Sequence, residues 1–213
     1  TRHGQTDRAD GEAFRAIFAP HPEEDSHTAA ALQTALALRS RISTLSQECE
    51  SRFGLELDAR IGVNTGEMLL APFGHPYGLR TGAAGEPAEW ARRLAGANLL
   101  YGTRILVGAT SAHKAADTVE TRPIDRLQRQ LPPQPPEEVS ELVALTGSLD
   151  PEALTRLTHY RRGVAHLRNR NWKAARAALR AARPIGYSDD AIDLLLHRID
   201  EQETLASFAQ HIE

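Results

Sequence analysis

Apolar positions in the first 128 residues follow two spacings. Across residues 23–53 they recur at near-helical spacing, which predicts a long helix that Asp25 or Ser26 can cap and Gly54 can end. Cys49 falls on the apolar face, where we expect a small core residue and not a reactive thiol. The face predicted to be buried comprises Leu32, Leu36, Ile42, Leu45, Cys49 and Phe53.

The shorter segments alternate apolar and polar residues, or are short and apolar, and they predict strands and turns. An Asn-Thr-Gly sequence at 64–66 is typical of a tight turn, so residues 55–63 and 67–71 are expected to pair as a hairpin. The glycine-rich residues 74–85 predict a loop, and residues 138–145 fit either a last edge strand or a helix start. Further strands are predicted at 13–18, 104–107 and 118–128, and helices at 86–100 and 109–116.

The C-terminal part of the chain has a different pattern. After a proline-rich connector, residues 129–151, which can include an edge strand, residues 152–213 are helical throughout. They resemble one tetratricopeptide-type hairpin with a following helix at 188–204, and a lone repeat is expected to pack on residues 1–128 or on a partner. The residues at helix-hairpin spacing are Tyr160, Gly163, Leu167, Trp172, Ala175, Leu179 and Ala182.

Composition excludes several classes of protein. The chain has 213 residues, of which 41% are hydrophobic, and a formal net charge of −3, as in a globular protein. This charge argues against a general nucleic-acid binder, which is usually strongly basic. A single cysteine excludes an internal disulfide and a cysteine-based zinc cluster. No run of about 18 apolar residues predicts a membrane-spanning helix.

Charge is distributed unevenly in the helical part. Nine basic residues and no acidic one lie between Arg156 and Arg183, whereas from Asp189 on seven residues are acidic and Arg198 alone is basic. Either the last helix neutralises the hairpin, or the basic face is free for an acidic partner, an RNA or an anionic membrane surface. Because the hairpin lacks exposed aromatic residues suited to stacking on bases, an internal contact or a protein partner is favoured.

Several segments, taken in order, can be compared with a known family. They are HGQTDRADGEAFRAIFAP (3–20), ARIGVNTGEMLL (59–70), GEPAEWARRL (85–94), GANLLYGTRILVGATS (96–111) and RPIDRLQ (122–128). Together they resemble the catalytic domain of class III nucleotidyl cyclases, and the helical end resembles the tail of bacterial membrane-tethered adenylate cyclases. The resemblance implies an α/β (α+β) fold: a ferredoxin-like mixed sheet of the cyclase-homology type, with helices on one side, followed by an all-α helical hairpin.

The resemblance also implies a reaction and its metal site. Class III cyclases convert ATP into a cyclic nucleotide and pyrophosphate with two divalent ions, Mg²⁺ or Mn²⁺, which carboxylates hold. One metal carboxylate falls on Glu12, where the family has aspartate, and the extra methylene moves its oxygens by about an ångström. By the same resemblance, the other belongs on a strand before residue 1, which the sequence does not include.

Four more roles fall on residues of this chain. The base-reading lysine and aspartate of the family fall on Arg8 and Gly82, of which Gly82 has no side chain. The asparagine that steadies the transition state falls on Glu89, whose carboxylate would repel a triphosphate. Arg93 alone matches the family. Without the family, Arg93 is a solvated helix residue, and Glu86 and Glu89 are acidic residues that the helix dipole favours in a first turn.

Three hypotheses for the function remain open at this stage. The first is a catalytically degenerate cyclase-homology domain of a signalling protein, which acts by binding or assembly, as a homodimer or with another cyclase domain. The second is an active adenylate cyclase that binds ATP, and the third is a scaffold whose 152–213 hairpin meets a protein partner. None of them involves nucleic acid. The resemblance places the domain in the cytoplasm, as part of a membrane-anchored protein where an upstream sensor is present.

Overall fold

The computed structural model describes residues 4–9, 13–20, 26–73, 80–128, 135–186 and 188–210. These residues form eight strands and six helices. The strands are β1 (Gln5–Ala9), β2 (Phe14–Ile17), β3 (Ile61–Val63), β4 (Leu69–Phe73), β5 (Arg80–Ala84), β6 (Ile105–Gly108), β7 (Val119–Leu127) and β8 (Glu137–Leu145). The helices are α1 (His27–Phe53), α2 (Glu86–Tyr101), α3 (Ala109–Lys114), α4 (Pro151–Arg168), α5 (Trp172–Ala182) and α6 (Asp190–Gln210).

The central sheet is mixed, as predicted. Its four strands run in the order β3-β6-β8-β7, with β3 parallel to β6 and the other pairs antiparallel. Residues 138–145 belong to β8, which resolves the choice between strand and helix. The expectation of an edge position was wrong, because β8 lies between β6 and β7 and bonds to both.

The predicted hairpin between residues 55–63 and 67–71 does not form. Only Ile61–Val63 of the first segment is a strand, and it pairs with β6, while β4 pairs with β5. Gly66 explains the difference, because a Cβ there would lie 2.5 Å from Cγ of Pro87. The chain after β3 thus packs under the start of α2 instead of turning back along β3. The predicted loop 74–85 was wrong at its end, where Arg80–Ala84 is β5.

Helix α1 begins and ends where its caps predict. Ser26 accepts a hydrogen bond from the Ala29 amide, and Gly54 ends the helix with φ of 66°. The prediction of one continuous buried face was wrong in the C-terminal half, where Leu45 is 44% and Phe53 is 70% exposed. Cys49 is half-buried and does not belong to the core. The physical reason is length: 27 residues of helix span about 40 Å, more than the strands beneath them.

Helices cover both faces of the central sheet, so the expectation of helices on one side was wrong. Successive side chains of a strand point to opposite faces, and in β6 Ile105 and Val107 pack with Leu32 of α1, whereas Leu106 packs with Leu94 of α2. The helical tail (α4–α6) joins the α2 side, and this shared core draws most of its buried residues from the tail. They are Tyr160, Val164, Ala175, Leu179, Ala182, Ala191, Ile192, Leu195 and Ile199.

A partly buried ion cluster also fastens the tail to the sheet. Arg122 of β7 donates to Glu141 of β8 at 2.6 Å and to Asp189, just before α6, at 2.5 Å. Its guanidinium carbon lies 4.9 Å from the ring centre of Tyr160 on α4. A buried charge that loses one partner is costly, so these contacts hold the tail in one position on the sheet.

The charge asymmetry of the tail is partly neutralised within the chain. Arg176 of α5 donates to Asp200 at 2.5 Å and also to Glu203, and Arg183 pairs with Asp193. Helix α6 therefore supplies carboxylates to the hairpin, as expected if the last helix neutralises the basic residues of the hairpin. The hairpin itself is tight, because a Cβ on Gly163 of α4 would lie 2.7 Å from Cγ of Leu179 on α5.

Close packing of α2 on β3 positions the helix that carries Glu89 and Arg93. Gly62 of β3 makes this possible, since a Cβ there would lie 2.0 Å from the carbonyl oxygen of Ala91. Asn98 of α2 is fully buried and donates to the carbonyl of Ile61 at 3.0 Å. A close backbone approach at Gly62 and a hydrogen bond from Asn98 thus set the distance between strand and helix.

The substitution Gly62→Ala is expected to lower the free energy of unfolding by about 1–3 kcal/mol, because the added methyl group forces α2 away from β3. Urea unfolding followed by circular dichroism measures this. Gly96→Ala on the same helix is the matched control: no atom outside the helix lies within 4 Å of its Cβ, so it should stabilise by about 0.5–1 kcal/mol. Equal effects of the two substitutions would contradict the close approach.

Candidate functional site

The site predicted from the sequence centres on the first turns of α2. Gly85 precedes the helix with φ of 147°, a conformation that glycine alone adopts readily, and Pro87 stands in the first turn. Trp90 and Leu94 point into the shared core. Glu89, Arg92 and Arg93 are exposed, so they lie on the outward side of the helix.

Glu89 is paired with two arginines of its own helix. Its Oε1 accepts from Nη2 of Arg92 at 2.6 Å and from Nε of Arg93 at 3.4 Å, and its Oε2 accepts from Nε of Arg92 at 3.0 Å. The Arg92 pair is a two-pronged contact between guanidinium and carboxylate, which is the strong form of this interaction. The predicted transition-state pair, Glu89 and Arg93, therefore does come together, but as an ion pair.

The pairing lowers the pKa of Glu89 further. The hydrogen bond from Arg92 is the largest cause, and it lowers the Glu89 pKa from the ordinary value of 4.5 to about 2, against a smaller opposing effect of burial. Arg93 contributes a weaker hydrogen bond in the same direction. At neutral pH the position that the resemblance assigns to a neutral asparagine holds a full negative charge.

The two predicted base-reading residues lie on neighbouring elements. Arg8 is on β1 as the cross-strand partner of Arg15 on β2. Gly82 is buried on β5, and its strand partner is Ala71 of β4. Strand β1 contacts β5, so the structure brings these two backbone positions to one region. Strand β5 directly precedes α2 in the sequence.

Glu12, the predicted metal carboxylate, lies outside the described residues. Within the described ranges no group of three or more histidine, cysteine, aspartate or glutamate side chains is placed to hold a metal ion. The metal site therefore stays a prediction. A polar groove of about 590 Å³ lies elsewhere, between α1 and residues 56–59, and includes none of the predicted site residues.

Sequence reasoning missed two features of this region. Arg15 is on the inward face of β2, and its Nη2 donates to the carbonyl of Ala83 at 2.7 Å. Arg15 lies two residues before Ile17, and residues two apart on a strand share a face, so the sequence could have placed Arg15 on the inward face. The ion pairing of Glu89 was also missed, although a carboxylate followed by arginines three and four positions on is a typical helix pair.

Comparisons with known proteins agree with this architecture. No protein-family model matches the chain. Over 114 residues, 54% of the chain, it is 26% identical to "Adenylate cyclase 1" of Rhizobium meliloti (strain 1021), and it spans 17% of that protein's length. The adenylyl cyclase CyaB from P. aeruginosa superposes with a TM-score of 0.59 and 19% identity, over 70% of this chain and 76% of CyaB. The guanylyl cyclase Cya2 superposes with a TM-score of 0.60 and 17% identity, over 70% of this chain and 74% of Cya2.

The fold is a mixed α/β fold of the class III cyclase-homology type. The predicted resemblance to class III cyclases is thereby confirmed, together with the predicted fold class. At these identities the solved structures establish the architecture only. The tetratricopeptide-like character of the tail and the roles of individual site residues stay predictions.

The Glu89 carboxyl should titrate near pH 2 in the native protein. Arg92→Ala should raise this pKa toward 4.5, and Arg93→Ala should raise it less, because Arg92 makes the stronger hydrogen bond. Carbon-13 NMR titration of the side-chain carboxyl measures both. Since folding lowers this pKa, the pairing stabilises the protein above about pH 4.5, and that stability is lost as the pH falls toward 2. A native pKa near 4.5 would contradict the ion pair.

Proposed function

We propose that this chain is a catalytically degenerate cyclase-homology domain, which acts in a signalling protein by binding or assembly and not by cyclising a nucleotide. The observation that carries the proposal is the Glu89 ion pair with Arg92 and Arg93. Arg93 matches the family residue that would stabilise charge on the phosphates. Here its positive charge already has an intramolecular partner.

The electrostatic argument has two parts. A transition state that spreads negative charge over phosphate oxygens needs preorganised donors and positive charge. Glu89 instead offers a carboxylate on the same exposed helix face, and this carboxylate is ionised at neutral pH. Arg93 would have to exchange this partner for a triphosphate that the carboxylate repels.

The nucleobase side supports the same proposal. A lysine and an aspartate can read a base edge because one donates and the other accepts hydrogen bonds. Arg8 and Gly82 cannot repeat this pattern, since glycine offers no acceptor on a side chain and arginine has a different donor geometry. The residues expected to contact the phosphates and those expected to contact the base are both altered. This is more consistent with a degenerate site than with a changed substrate.

The assembly part of the proposal rests on exposed apolar side chains. Leu99 and Leu100 of α2 are 67% and 74% exposed, on the same helix as Glu89 and Arg93. We expect this surface to pair with a second copy of the domain or with a competent cyclase domain. No described helix has the length and apolarity needed to cross a membrane. A cytoplasmic location, with or without a membrane anchor elsewhere in the protein, is part of the proposal.

The test is cyclic nucleotide production by the full-length natural protein, from ATP and from GTP, with Mg²⁺ and separately with Mn²⁺. We expect no product above the background of the matched Arg93→Ala variant. An active class III cyclase, assayed alongside, shows that the conditions support turnover.

Product that disappears in the Arg93→Ala variant would contradict the proposal and favour an active adenylate or guanylate cyclase. That result would also show that Glu12 and Glu89 are compatible with catalysis. Product that is equal in both proteins would identify a contaminant, and the proposal would stand.

A further inference from the structure

The helical hairpin α4–α5 carries more positive charge than the rest of the chain neutralises. Nine basic residues lie between Arg156 and Arg183, and five of them form ion pairs with carboxylates of β7, β8, α4 or α6. The other four are exposed, and none of them forms an ion pair with another residue that the structure describes. These four are Arg162, Arg170, Lys173 and Arg180.

The packing of the hairpin brings Arg162 and Arg180 to the same level. A Cβ on Gly163 of α4 would lie 2.7 Å from Cγ of Leu179 on α5, so the two helices meet at this point. Arg162 and Arg180 are the sequence neighbours of these two residues, on helices whose axes pack about 8–10 Å apart. Both helices bury their apolar sides in the shared core, so their exposed sides form one outer surface.

The other two basic residues lie where α4 turns into α5. Arg170 is in the turn itself, with φ of 56°, and Lys173 is in the first turn of α5. Lys173 precedes Arg180 by two helical turns, so the two lie on the same side of α5, about 10 Å apart along the helix. Together with Arg162 they form one surface, which we call the basic face.

The composition of the basic face favours a protein over a membrane or a nucleic acid. No large apolar side chain is prominently exposed between residues 155 and 184, whereas a surface that enters a bilayer pairs its cations with such side chains. Trp172 packs against the core and is not free to stack on bases. The exposed residues between the cations of α5 include Ala177 and Ala181, which are small enough to let a partner chain approach.

We propose that the basic face of the hairpin binds an acidic segment of a partner protein. Four positive charges on one surface repel each other, and the carboxylates of a partner offset that repulsion. A single exposed ion pair contributes little, so affinity requires several carboxylates that bind together. The basic face lies on other elements than Leu99 and Leu100, so this contact is additional to the pairing of cyclase domains.

Fluorescence anisotropy tests the inference, with the full-length natural protein and a labelled decaglutamate peptide. A labelled decaglutamine peptide is the uncharged control. We expect decaglutamate alone to bind, and to bind more weakly as salt is added, because exposed charges are screened. Arg162→Gln/Arg180→Gln should weaken this binding at least about tenfold, and Arg170→Gln/Lys173→Gln should act in the same direction.

The matched control is Arg156→Gln/Arg168→Gln, which removes two basic residues of the same hairpin that already have carboxylate partners. It changes the net charge by the same amount and should alter the affinity by less than about twofold. Equal weakening in the control would overturn the inference, because binding would then follow net charge and not the basic face. Absence of decaglutamate binding, or binding unchanged in both face variants, would also overturn it.

Phosphatidylserine–phosphatidylcholine vesicles and polyuridylate are assayed in parallel. If either binds the natural protein more tightly than decaglutamate does and loses this binding in the face variants, the basic face takes a membrane or an RNA and the inference is wrong. We expect both to bind more weakly than decaglutamate. None of these readouts depends on nucleotide turnover, so the inference and the proposed function can fail separately.

Discussion

The packing of α2 between β3 and the helical tail is the constraint on which the rest of the structure depends. Gly66 allows the segment after β3 to approach the start of the helix at Pro87, and Gly62 allows β3 to approach its middle at Ala91. At the other end, the Tyr101 hydroxyl donates to Asp125 of β7 at 2.8 Å, and Arg198 of α6 donates to the same carboxylate at 2.6 Å. The helix is thus held at its start, its middle and its end, and its outward residues have one fixed orientation.

Fold and chemistry are separable in this arrangement. The core residues of α2, Trp90 and Leu94, face the sheet and the tail, whereas Glu89 and Arg93 face outward. Substitution of an outward residue leaves the buried surface unchanged, so it has little effect on stability. The fold can therefore tolerate changes on the outward face of α2. The tail shares one hydrophobic core with α2 and contributes most of the buried residues of that core.

Local patterns predicted the elements well and their pairing poorly. Ser26 and Gly54 defined α1, and the Glu86–Tyr101 helix follows from its proline and its apolar spacing. The partner of β3 could not be predicted in this way, because pairing with β6 depends on contacts between residues far apart in sequence. The turn sequence at 64–66 favoured a hairpin locally, but packing of Gly66 under Pro87 prevailed.

The candidate site was likewise predictable from the sequence in its residues but not in their contacts. The family resemblance identified Glu89 and Arg93, and the structure adds that they form an ion pair. The contact of Arg15 with the Ala83 carbonyl on β5 could not be predicted from the sequence, since it requires the tertiary structure. Glu12 lies beyond the described residues, so its role as a metal ligand still rests on the resemblance alone.

The central claim is that Glu89 neutralises Arg93 for phosphate binding. The most direct measurement is calorimetric titration of inorganic tripolyphosphate into the native protein and into Glu89→Gln and Glu89→Gln/Arg93→Ala variants. The account predicts weak binding to the native protein, about tenfold tighter binding to Glu89→Gln, and loss of that gain in the double variant. Native protein that binds tripolyphosphate as tightly as Glu89→Gln would contradict it.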